Sequence, residues 1–210
     1  STLVAIGPLF FLLVLSEVLW RSKVLRGEPA RKLLHIIIGS YVASWAFFLT
    51  ARHIEFLSAL LFVGVAVSHR FKIFHAILDV KRKTWGDLFY ALGIGLTAFL
   101  SQSPWIFAVA ILHMSIGDGL AGLIGAKYGK GGQYRILGQR KSLAGSFAFA
   151  VSSLIILAII VPGPLHIALG PVALVLPIAA TLAENLGVYG SDNITVPLLL
   201  TITLNMLVLN

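Results

Sequence analysis

The chain has 210 residues, of which 58% are hydrophobic and 11% charged; its net charge is +8 and it contains no cysteine. Soluble domains carry roughly 25% charged residues, so this composition and the mean hydropathy of +0.96 exclude an ordinary soluble domain and indicate an integral membrane protein. Without cysteine there are no disulfides, no thiolate chemistry and no cysteine-based metal sites. The cations lie between apolar runs, which favours anionic lipid headgroups or a nucleotide over nucleic acid as a partner.

Eight apolar runs come close to the length of about 20 residues that a helix needs to cross the bilayer core. They cover residues 3–20, 33–51, 54–69, 86–101, 104–126, 143–161, 165–186 and 193–209. No basic region precedes the first run and no small-residue cleavage site follows it, so we expect a retained span rather than a cleaved signal. Tandem repeats and low-complexity tracts are absent from the sequence, which therefore predicts a single polytopic membrane domain over residues 1–210.

The distribution of lysine and arginine predicts how these runs cross the membrane. Of the 16 cations, all but Arg52 lie in segments 21–32, 70–83 and 127–141, with five in each. The positive-inside rule assigns the three segments to the cytoplasm, which requires an even number of spans between them. We therefore predict an all-α integral membrane protein, a bundle of about eight transmembrane helices with both termini outside and the long basic loops cytoplasmic. Within 70–79, apolar residues at helical spacing predict an amphipathic helix in the membrane interface.

Four carboxylates are predicted at the cytoplasmic ends of the spans. Asp118 lies inside the fifth run and Glu184 near the end of the seventh, whereas Asp87 and Asp192 open the fourth and the eighth. Ionisable side chains at membrane depth are costly and usually functional, and carboxylates gathered on one side of a bundle suit Mg²⁺. The alternative is helix capping, which Asp and Asn favour. Capping explains Asp87 and Asn193 as well as catalysis does, but it explains Asp118 poorly.

Residues 115–146 combine glycines and cations around Asp118 and predict a nucleotide loop. Gly117 and Gly119 flank the carboxylate and let the backbone open around a ligand, whereas Gly122 and Gly125 have the spacing of helix packing. The glycine-rich turn that follows lacks the ending of a P-loop. The cations around it could still cradle a triphosphate; they are Lys127, Lys130, Arg140 and Lys141, the last followed by Ser142. Alternatively, these cations only set the membrane orientation.

Among the six histidines, His35 is the one that the sequence relates to a site, because it follows Arg31-Lys32 by one helical turn on the predicted cytoplasmic side. No pair of histidines has a zinc-binding spacing. His113 lies a little more than one turn before Asp118, on a neighbouring face. The sequence indicates no partner for the other four, which we expect to be packed polar residues: His53, His69, His75 and His166.

Five motifs occur in order along the chain. They are Arg31-Lys32-Leu33-Leu34-His35 with Gly39; Thr84-Trp85-Gly86-Asp87 through Gly93; Gly117-Asp118-Gly119 with Gly125 and Gly129-Lys130; Lys141-Ser142 with Gly145-Ser146; and Glu184 with Gly190-Ser191-Asp192-Asn193 and Pro197-Leu198. Over residues 30–200 this set resembles the polyprenol kinase family, which includes the dolichol kinases and phytol kinases. More distantly it resembles the phosphatidate cytidylyltransferases.

The resemblance implies a CTP-dependent lipid kinase that transfers the γ-phosphate to a membrane-embedded alcohol, which is phytol, farnesol, dolichol, another polyprenol or diacylglycerol. It implies a divalent cation, such as Mg²⁺, held by carboxylates that are also the catalytic residues, namely Asp118, Glu184 and Asp192. The residues assigned to the nucleotide are Gly117, Gly119, Lys127, Lys130, Arg140, Lys141 and Ser142. Those assigned to the substrate or to structural support are Arg31, Lys32, His35, Asp87 and Asn193.

One position departs from the family's pattern. Ala144 stands where many relatives have an acidic residue in the sequence Lys-Ser-x-Glu-Gly-Ser, so that carboxylate is missing here. A shifted substrate or a weaker enzyme would be consistent with this departure.

Two other functions are compatible with the residues. A cytidylyltransferase that makes a CDP-lipid from phosphatidic acid would use the same region, but its acidic, glycine-rich C-terminal signature is absent, since only Asp192 is acidic after Glu184. A lipid or solute transporter would explain prolines within spans, such as Pro177 and Pro197, but the chain shows no matching halves. We expect a multi-pass protein of a prokaryotic plasma membrane or an organelle membrane, with its active site facing the cytoplasm. A membrane lipid and CTP are its expected partners, nucleic acid is not, and a homo-oligomer is left open.

Overall fold

The computed structural model describes residues 2–24, 26–73, 75 and 84–209. Within these ranges the elements are α1 (Thr2–Arg21), α2 (Gly27–Ala43), α3 (Ala51–Phe71), α4 (Gly86–Leu100), α5 (Pro104–Leu112), α6 (Asp118–Tyr128), β1 (Gln133–Ile136), β2 (Gln139–Ser142), α7 (Leu143–Ile160), α8 (Gly170–Leu186) and α9 (Asp192–Leu209). Short 3₁₀ turns occupy Trp45–Phe47 and Gly129–Gly132, and a π-helical turn occupies His113–Gly117. Most of the amphipathic helix predicted over 70–79 lies outside the described residues.

The helical membrane protein that the composition predicts is confirmed. In the described part of the chain, five helices are long and apolar enough to cross a membrane: Val4–Arg21, Ala51–Phe71, Pro104–Gly132, Leu143–Ile160 and Asp192–Leu209. The apolar helices α4 and α8 are shorter. Phe99, Phe147 and Ile159 are each at least 70% exposed, as expected where helices contact lipid. The count of eight crossings and the outside location of both termini stay predictions.

The start of α2 differs from the predicted span and matters for the site. The helix begins at Gly27, six residues earlier than expected. Gly27 has a φ of 69°, which glycine adopts without steric cost, and Glu28 and Pro29 suit the first helical turn. As a result Lys32, which the sequence assigns to a basic loop, lies within α2 and is only 4% exposed.

The span Pro104–Gly132 is the centre of the bundle, because 67% of its most apolar 18-residue stretch is buried. The corresponding share for α1 is 17%. Helix α5 contributes to two buried clusters, which it separates. The first packs α5 against α7, α8 and α9 and includes Ile106, Val109, Phe149, Leu157, Leu176 and Leu200. The second packs it against the first four helices and includes Val42, Trp45, Ile54, Ile94, Phe107 and Ile111.

This central span is not a continuous α-helix, since the π-helical turn His113–Gly117 joins α5 to α6. His113 fixes the turn from within the core: Nδ1 donates to the Val109 carbonyl at 2.8 Å and Nε2 accepts from Ser153 Oγ at 2.9 Å. Turns of this kind are rare and are frequent at functional sites. Here the turn leads directly into Asp118, the first residue of α6.

The basic loop before α7 contains a hairpin that the sequence does not predict. Strands β1 and β2 pair antiparallel around the two-residue turn Leu137-Gly138. The φ angles of these two residues are 47° and 78°, and two positive values are what a type I′ turn requires. The two strands are short and polar, and apolar and polar residues do not alternate along them. The sequence therefore lacks the pattern that indicates a strand. The hairpin holds Lys141 on a defined strand rather than on an irregular loop.

Candidate functional site

Three of the four predicted carboxylates come together at one point, which we call the acidic site: Asp118, Glu184 and Asp192. Their carboxylate oxygens lie within 4.8 Å of one another. Asp118 begins α6, Glu184 lies in the last turn of α8 and Asp192 begins α9, so the site forms where the ends of three helices meet. Carboxylate oxygens are the ligands that Mg²⁺ takes from proteins. The residues therefore fit the divalent cation that the family resemblance implies.

Two carboxylates of the acidic site form ion pairs with lysines from other elements. Lys32 Nζ of α2 lies 2.5 Å from Asp118 Oδ2, and Lys141 Nζ of β2 lies 2.5 Å from Glu184 Oε1. The four side chains are at most 15% exposed. Burying a charge is costly unless it is paired, so each lysine stabilises its carboxylate inside an apolar bundle.

A second set of contacts ties the hairpin to α8 beside Glu184. Tyr134 of β1 donates to Asn185 Oδ1 at 2.6 Å, and Ser146 of α7 donates to the same oxygen at 2.9 Å. These hydrogen bonds fix the position of Lys141 relative to Glu184. The sequence gives no signal for Tyr134, because a single tyrosine in a polar loop matches no motif.

The acidic site lines a cavity of about 550 Å³, which we call the polar cavity. Its lining contains the three carboxylates of the acidic site and three cations, Lys32, Arg140 and Lys141. Small residues lie between them, namely Gly122, Gly125, Ser142 and Gly145. Basic side chains next to a carboxylate cluster are the arrangement needed to bind an anion together with a cation.

The four glycines in α6 and the turn before it all pack closely against neighbouring elements, and two of them also line the polar cavity. A Cβ atom on Gly119 would collide with Ile36 of α2, and one on Gly117 would be tight against Phe149 of α7, so these two glycines permit helix packing. Neither of them lines the polar cavity. Gly122 and Gly125, which we expected only to pack, do line it. Gly122 and Gly125 also pack closely, since a Cβ atom on them would meet the Lys32 side chain or Ser142 Oγ, so their predicted packing role is confirmed.

The cations of the predicted nucleotide loop separate into two groups. Lys127 and Lys130 are exposed and do not line the polar cavity, and Lys127 Nζ lies 5.0 Å from the centroid of the Tyr128 ring. Arg140 and Lys141, by contrast, both line it.

Ser142 lines the polar cavity but also has a structural role. Its hydroxyl accepts the backbone N–H of Gly145 at 3.1 Å and so caps α7, which is the preferred role of serine before a helix. Ala144 lies in the first turn of the same helix. The three carboxylates of the acidic site come together without the acidic residue that Ala144 replaces.

Asp87, the fourth predicted carboxylate, is not part of the acidic site. Its Oδ2 lies 2.5 Å from Nε2 of His69 on α3, a partner that the sequence does not indicate. Asn193 Nδ2 donates to the carbonyl oxygen of Gly86 at 2.8 Å, and Gly86 packs directly on Gly190. These contacts hold the start of α4 against the start of α9, next to the acidic site.

His35 contacts the acidic site from α2. Its Nε2 lies 2.8 Å from the Met114 carbonyl oxygen and 3.5 Å from Asp118 Oδ2. Because a carbonyl oxygen only accepts hydrogen bonds, Nε2 carries the ring hydrogen. The ring packs against Tyr90, with the centroids 4.3 Å apart. Arg31, one turn earlier, pairs with Glu28 at 2.7 Å.

A second cavity, of about 300 Å³, lies between α1, α2, α3 and α4 and is called the apolar cavity. Most of its lining is aliphatic or aromatic, including Ile6, Leu9, Phe10, Leu34, Ile38, Trp45, Leu57, Leu60 and Leu61. The polar lining residues gather where α2 and α4 begin and α3 ends: Arg31, His35, Ser68, His69 and Asp87. His35 therefore separates the two cavities, since it lines this one and contacts Asp118, which lines the other.

The fold and the site define a class of protein, a helical membrane protein with a carboxylate–lysine site in a polar cavity and an apolar cavity next to it. The chain is 34% identical to the phytol kinase of Synechocystis sp. over 193 residues, which are 87% of this chain and 81% of that relative. It is 29% identical to phytol kinase 1, chloroplastic, of Arabidopsis thaliana over 94% of this chain and 72% of the relative. A probable phytol kinase 1, chloroplastic, of Glycine max is also 29% identical. No family model and no solved structure matches the chain.

The chain belongs to the phytol kinase family, which is part of the polyprenol kinase family that the five sequence motifs resemble.

Proposed function

We propose that this protein is a membrane-embedded kinase that transfers the terminal phosphate of a nucleoside triphosphate to the hydroxyl of an isoprenoid alcohol. The observation that carries the proposal is the acidic site, whose carboxylates and paired lysines line the polar cavity. Phosphoryl transfer depends on positioning and on neutralising charge more than on covalent chemistry. The relatives named phytol kinases support an alcohol as acceptor and make phytol the first candidate.

CTP is the donor that we propose, on the basis of the family resemblance. The polar cavity, at about 550 Å³, falls within the range of roughly 300–1,000 Å³ typical of small-molecule sites. Arg140 and Lys141 would contact phosphate oxygens, to which both side chains are suited. Lys127 and Lys130, on the exposed part of the same segment, would raise the local concentration of the anion.

Asp118, Glu184 and Asp192 would hold Mg²⁺, which when bound would offset negative charge on the phosphate oxygens. Lys32 and Lys141 would keep Asp118 and Glu184 oriented towards the cavity through their ion pairs. Positioning of this kind before the reaction contributes to electrostatic catalysis because the charges need not reorganise.

In the transfer step, the alcohol oxygen forms a bond to the terminal phosphorus while the bond between that phosphorus and the bridging oxygen breaks. The nucleoside diphosphate leaves with the electron pair of that bond. The hydroxyl proton needs an acceptor within hydrogen-bonding reach, and we assign this role to Asp118. Among the carboxylates of the acidic site, Asp118 is the one that contacts His35, a lining residue of the apolar cavity.

We further propose that residues 1–210 form one polytopic domain with eight crossings and both termini outside. The basic segments and the polar cavity would face the cytoplasm of a prokaryote, or the equivalent side of an organelle membrane, where soluble CTP is available. The positive-inside rule supports this orientation.

The function is tested by asking which phosphate of the nucleotide reaches the lipid. The purified chain is reconstituted in liposomes with phytol and Mg²⁺, and CTP is labelled at either the α or the γ position. We expect label in the lipid from γ-labelled CTP alone. Label from the α position would identify a cytidylyltransferase and would contradict the proposal. Parallel reactions with ATP, GTP and UTP, and with farnesol and diacylglycerol, identify the preferred donor and acceptor.

A further inference from the structure

We propose that the apolar cavity binds the hydrocarbon tail of the acceptor alcohol and that His69, at its polar end, binds the hydroxyl group. The identity of the ligand rests on the proposed function. The binding site itself is distinct from the acidic site and uses side chains from α1, α2, α3 and α4.

The distribution of polar and apolar residues along the cavity matches an alcohol with a long tail. On α3, His69 marks the polar end and Leu57 lies twelve residues earlier, which corresponds to about 18 Å along the helix axis. Between these two positions the helix contributes Leu60, Leu61 and Val65 to the lining, and all three are apolar. An extended hydrocarbon chain with one terminal hydroxyl is the kind of ligand that such a lining accommodates.

The His69–Asp87 pair provides a hydrogen-bond acceptor for that hydroxyl. Nε2 of His69 lies 2.5 Å from Asp87 Oδ2. When a neutral imidazole donates the hydrogen of one nitrogen to a carboxylate, the other nitrogen keeps a lone pair. In this form Nδ1 of His69 is the acceptor that holds the alcohol O–H before the reaction, and the hydroxyl must leave His69 for Asp118 to take its proton in the transfer step. Nearby, Arg31 Nε and Tyr90 Oη are buried and have no hydrogen-bond partner among the described residues, so this end of the cavity has unused hydrogen-bonding capacity.

The polar end of the apolar cavity is also the end that adjoins the acidic site. His35 lines the apolar cavity, and its Nε2 lies 3.5 Å from Asp118 Oδ2 in the polar cavity. Asp87 opens α4, whose start is held against the start of α9 by the bond from Asn193 to Gly86. An alcohol bound with its hydroxyl at His69 thus has its reactive end towards the carboxylates and its tail directed away from them.

The cavity is accessible from the lipid side at Gly64 of α3. This glycine is exposed, lines the cavity and has no heavy atom within 4 Å of the position that a Cβ would occupy. Phe10 of α1, another lining residue, is 62% exposed. A membrane-dissolved alcohol can therefore enter sideways between α1 and α3 without passing through water.

Gly64→Leu tests the cavity, with Gly7→Leu as the matched control. Gly7 on α1 is also exposed and also has no heavy atom within 4 Å of its Cβ position, but it does not line the cavity. Both substitutions add the same side chain to a lipid-facing helix. We expect Gly64→Leu to lower kcat/KM for phytol by about 10-fold or more, as steric discrimination in an apolar pocket does. The decrease in kcat/KM should be smaller for geraniol and smallest for prenol, because their hydrocarbon chains are shorter. Gly7→Leu should leave kcat/KM unchanged for all three alcohols.

A direct map of the tail uses a phytol analogue with a photoreactive diazirine at the end of the chain. After illumination without nucleotide, peptide mass spectrometry should locate the label on the α1 and α3 residues around Leu57 and Leu60. Label spread over other lipid-facing helices, together with a Gly64→Leu profile that does not depend on chain length, would overturn the proposal.

His69→Ala tests the hydroxyl contact, with His166→Ala as control because His166 is exposed and lines neither cavity. His69→Ala removes the hydrogen bond between the alcohol hydroxyl and an imidazole that is paired with the Asp87 carboxylate. This loss should raise KM for phytol about 10-fold or more. KM for CTP should not change, whereas a general loss of structure would alter both constants. Equal effects on the two KM values would contradict a hydroxyl-binding role.

These experiments separate the two proposals. If the chain phosphorylates alcohols but the diazirine label lies elsewhere, the kinase function stands and the cavity assignment fails. If the label maps to the cavity but no phosphate is transferred from any nucleotide, the cavity assignment stands and the kinase function fails.

Discussion

The polar and the apolar cavity are built by different interactions. In the polar cavity, ion pairs and hydrogen bonds fix the side chains: Lys32 holds Asp118, Lys141 holds Glu184, and Tyr134 ties the hairpin to α8. In the apolar cavity the walls are packed aliphatic and aromatic side chains, and polar contacts are confined to one end. A reaction on phosphate needs charges that are in place beforehand, whereas a hydrocarbon tail offers only shape and length for recognition.

Helix α2 is the wall that the two cavities share. Lys32 reaches the polar cavity, and Arg31 and His35, within one turn of it, line the apolar one. The comparison therefore predicts that substitutions in the polar cavity can affect nucleotide chemistry without affecting alcohol binding. Gly64→Leu, in the apolar cavity, should conversely affect alcohol binding without affecting nucleotide binding.

The largest effect is expected for Asp118→Asn. Loss of this carboxylate removes a metal ligand and the proposed proton acceptor, so kcat should fall by about 10³-fold. Labelling by the diazirine alcohol should persist, because Asp118 does not line the apolar cavity. Both the rate of phosphate transfer and the extent of labelling by the diazirine alcohol are measured on the same protein preparation.

Glu55→Gln is the control for Asp118→Asn, since Glu55 lies near the start of α3 and lines neither cavity. Its transfer rate should match that of the wild-type protein. Loss of alcohol labelling in Asp118→Asn would show that the two cavities do not act separately.

A smaller effect is expected for Lys141→Met, compared with Lys130→Met. Lys141 is largely buried against Glu184, whereas Lys130 is exposed and outside the lining of the polar cavity. Loss of a charge-assisted contact to phosphate should raise KM for CTP about 10-fold or more. KM for phytol should stay the same, and steady-state kinetics in liposomes measures both constants.

Because Lys141→Met also leaves Glu184 as an unpaired buried charge, the midpoint of thermal unfolding in detergent should fall. Lys130→Met should change neither KM for CTP nor this midpoint by a comparable amount. Equal effects of the two substitutions on KM would mean that the loop acts through overall charge and not through a defined contact.

The smallest effect is expected at the hairpin turn. Leu137 has a φ of 47°, a conformation that costs an ordinary residue roughly 1–2 kcal/mol. Leu137→Asn creates the Asn-Gly pair that type I′ turns favour and should raise the unfolding midpoint by about 2 °C. Leu137→Ala keeps the unfavourable conformation and is the control. A rise of equal size in both variants would point to the loss of an exposed leucine instead.

The helices and the acidic site are predictable from the sequence for local reasons. Long apolar runs specify the helices, and Asp118 and Glu184 are conspicuous because they interrupt such runs. Asp192 and Asn193 follow a glycine and begin the last run, which marks them as residues at a helix end.

The contacts that complete the site are not local, and this is why the sequence does not predict them. Lys32 and Asp118 are 86 residues apart, and His69 and Asp87 are 18 residues apart on different helices. No spacing rule relates such pairs, since they depend on how the helices pack. Gly117 and Gly119 show the same limit: glycines beside a carboxylate suggest a ligand, but here they make room for α7 and α2.

The central claim is that the polar end of the apolar cavity lies next to the acidic site, with His35 between them, so that the alcohol carries its hydroxyl end towards the bound metal. Replacing Mg²⁺ with paramagnetic Mn²⁺ tests this most directly, using the protein with a non-hydrolysable CTP analogue and phytol carrying ¹³C at the hydroxyl carbon or at a terminal methyl. The account predicts strong Mn²⁺-induced relaxation of the hydroxyl carbon and weak relaxation of the terminal methyl, with both effects lost in Asp118→Asn. Equal relaxation at the two positions, or stronger relaxation of the methyl, would contradict it.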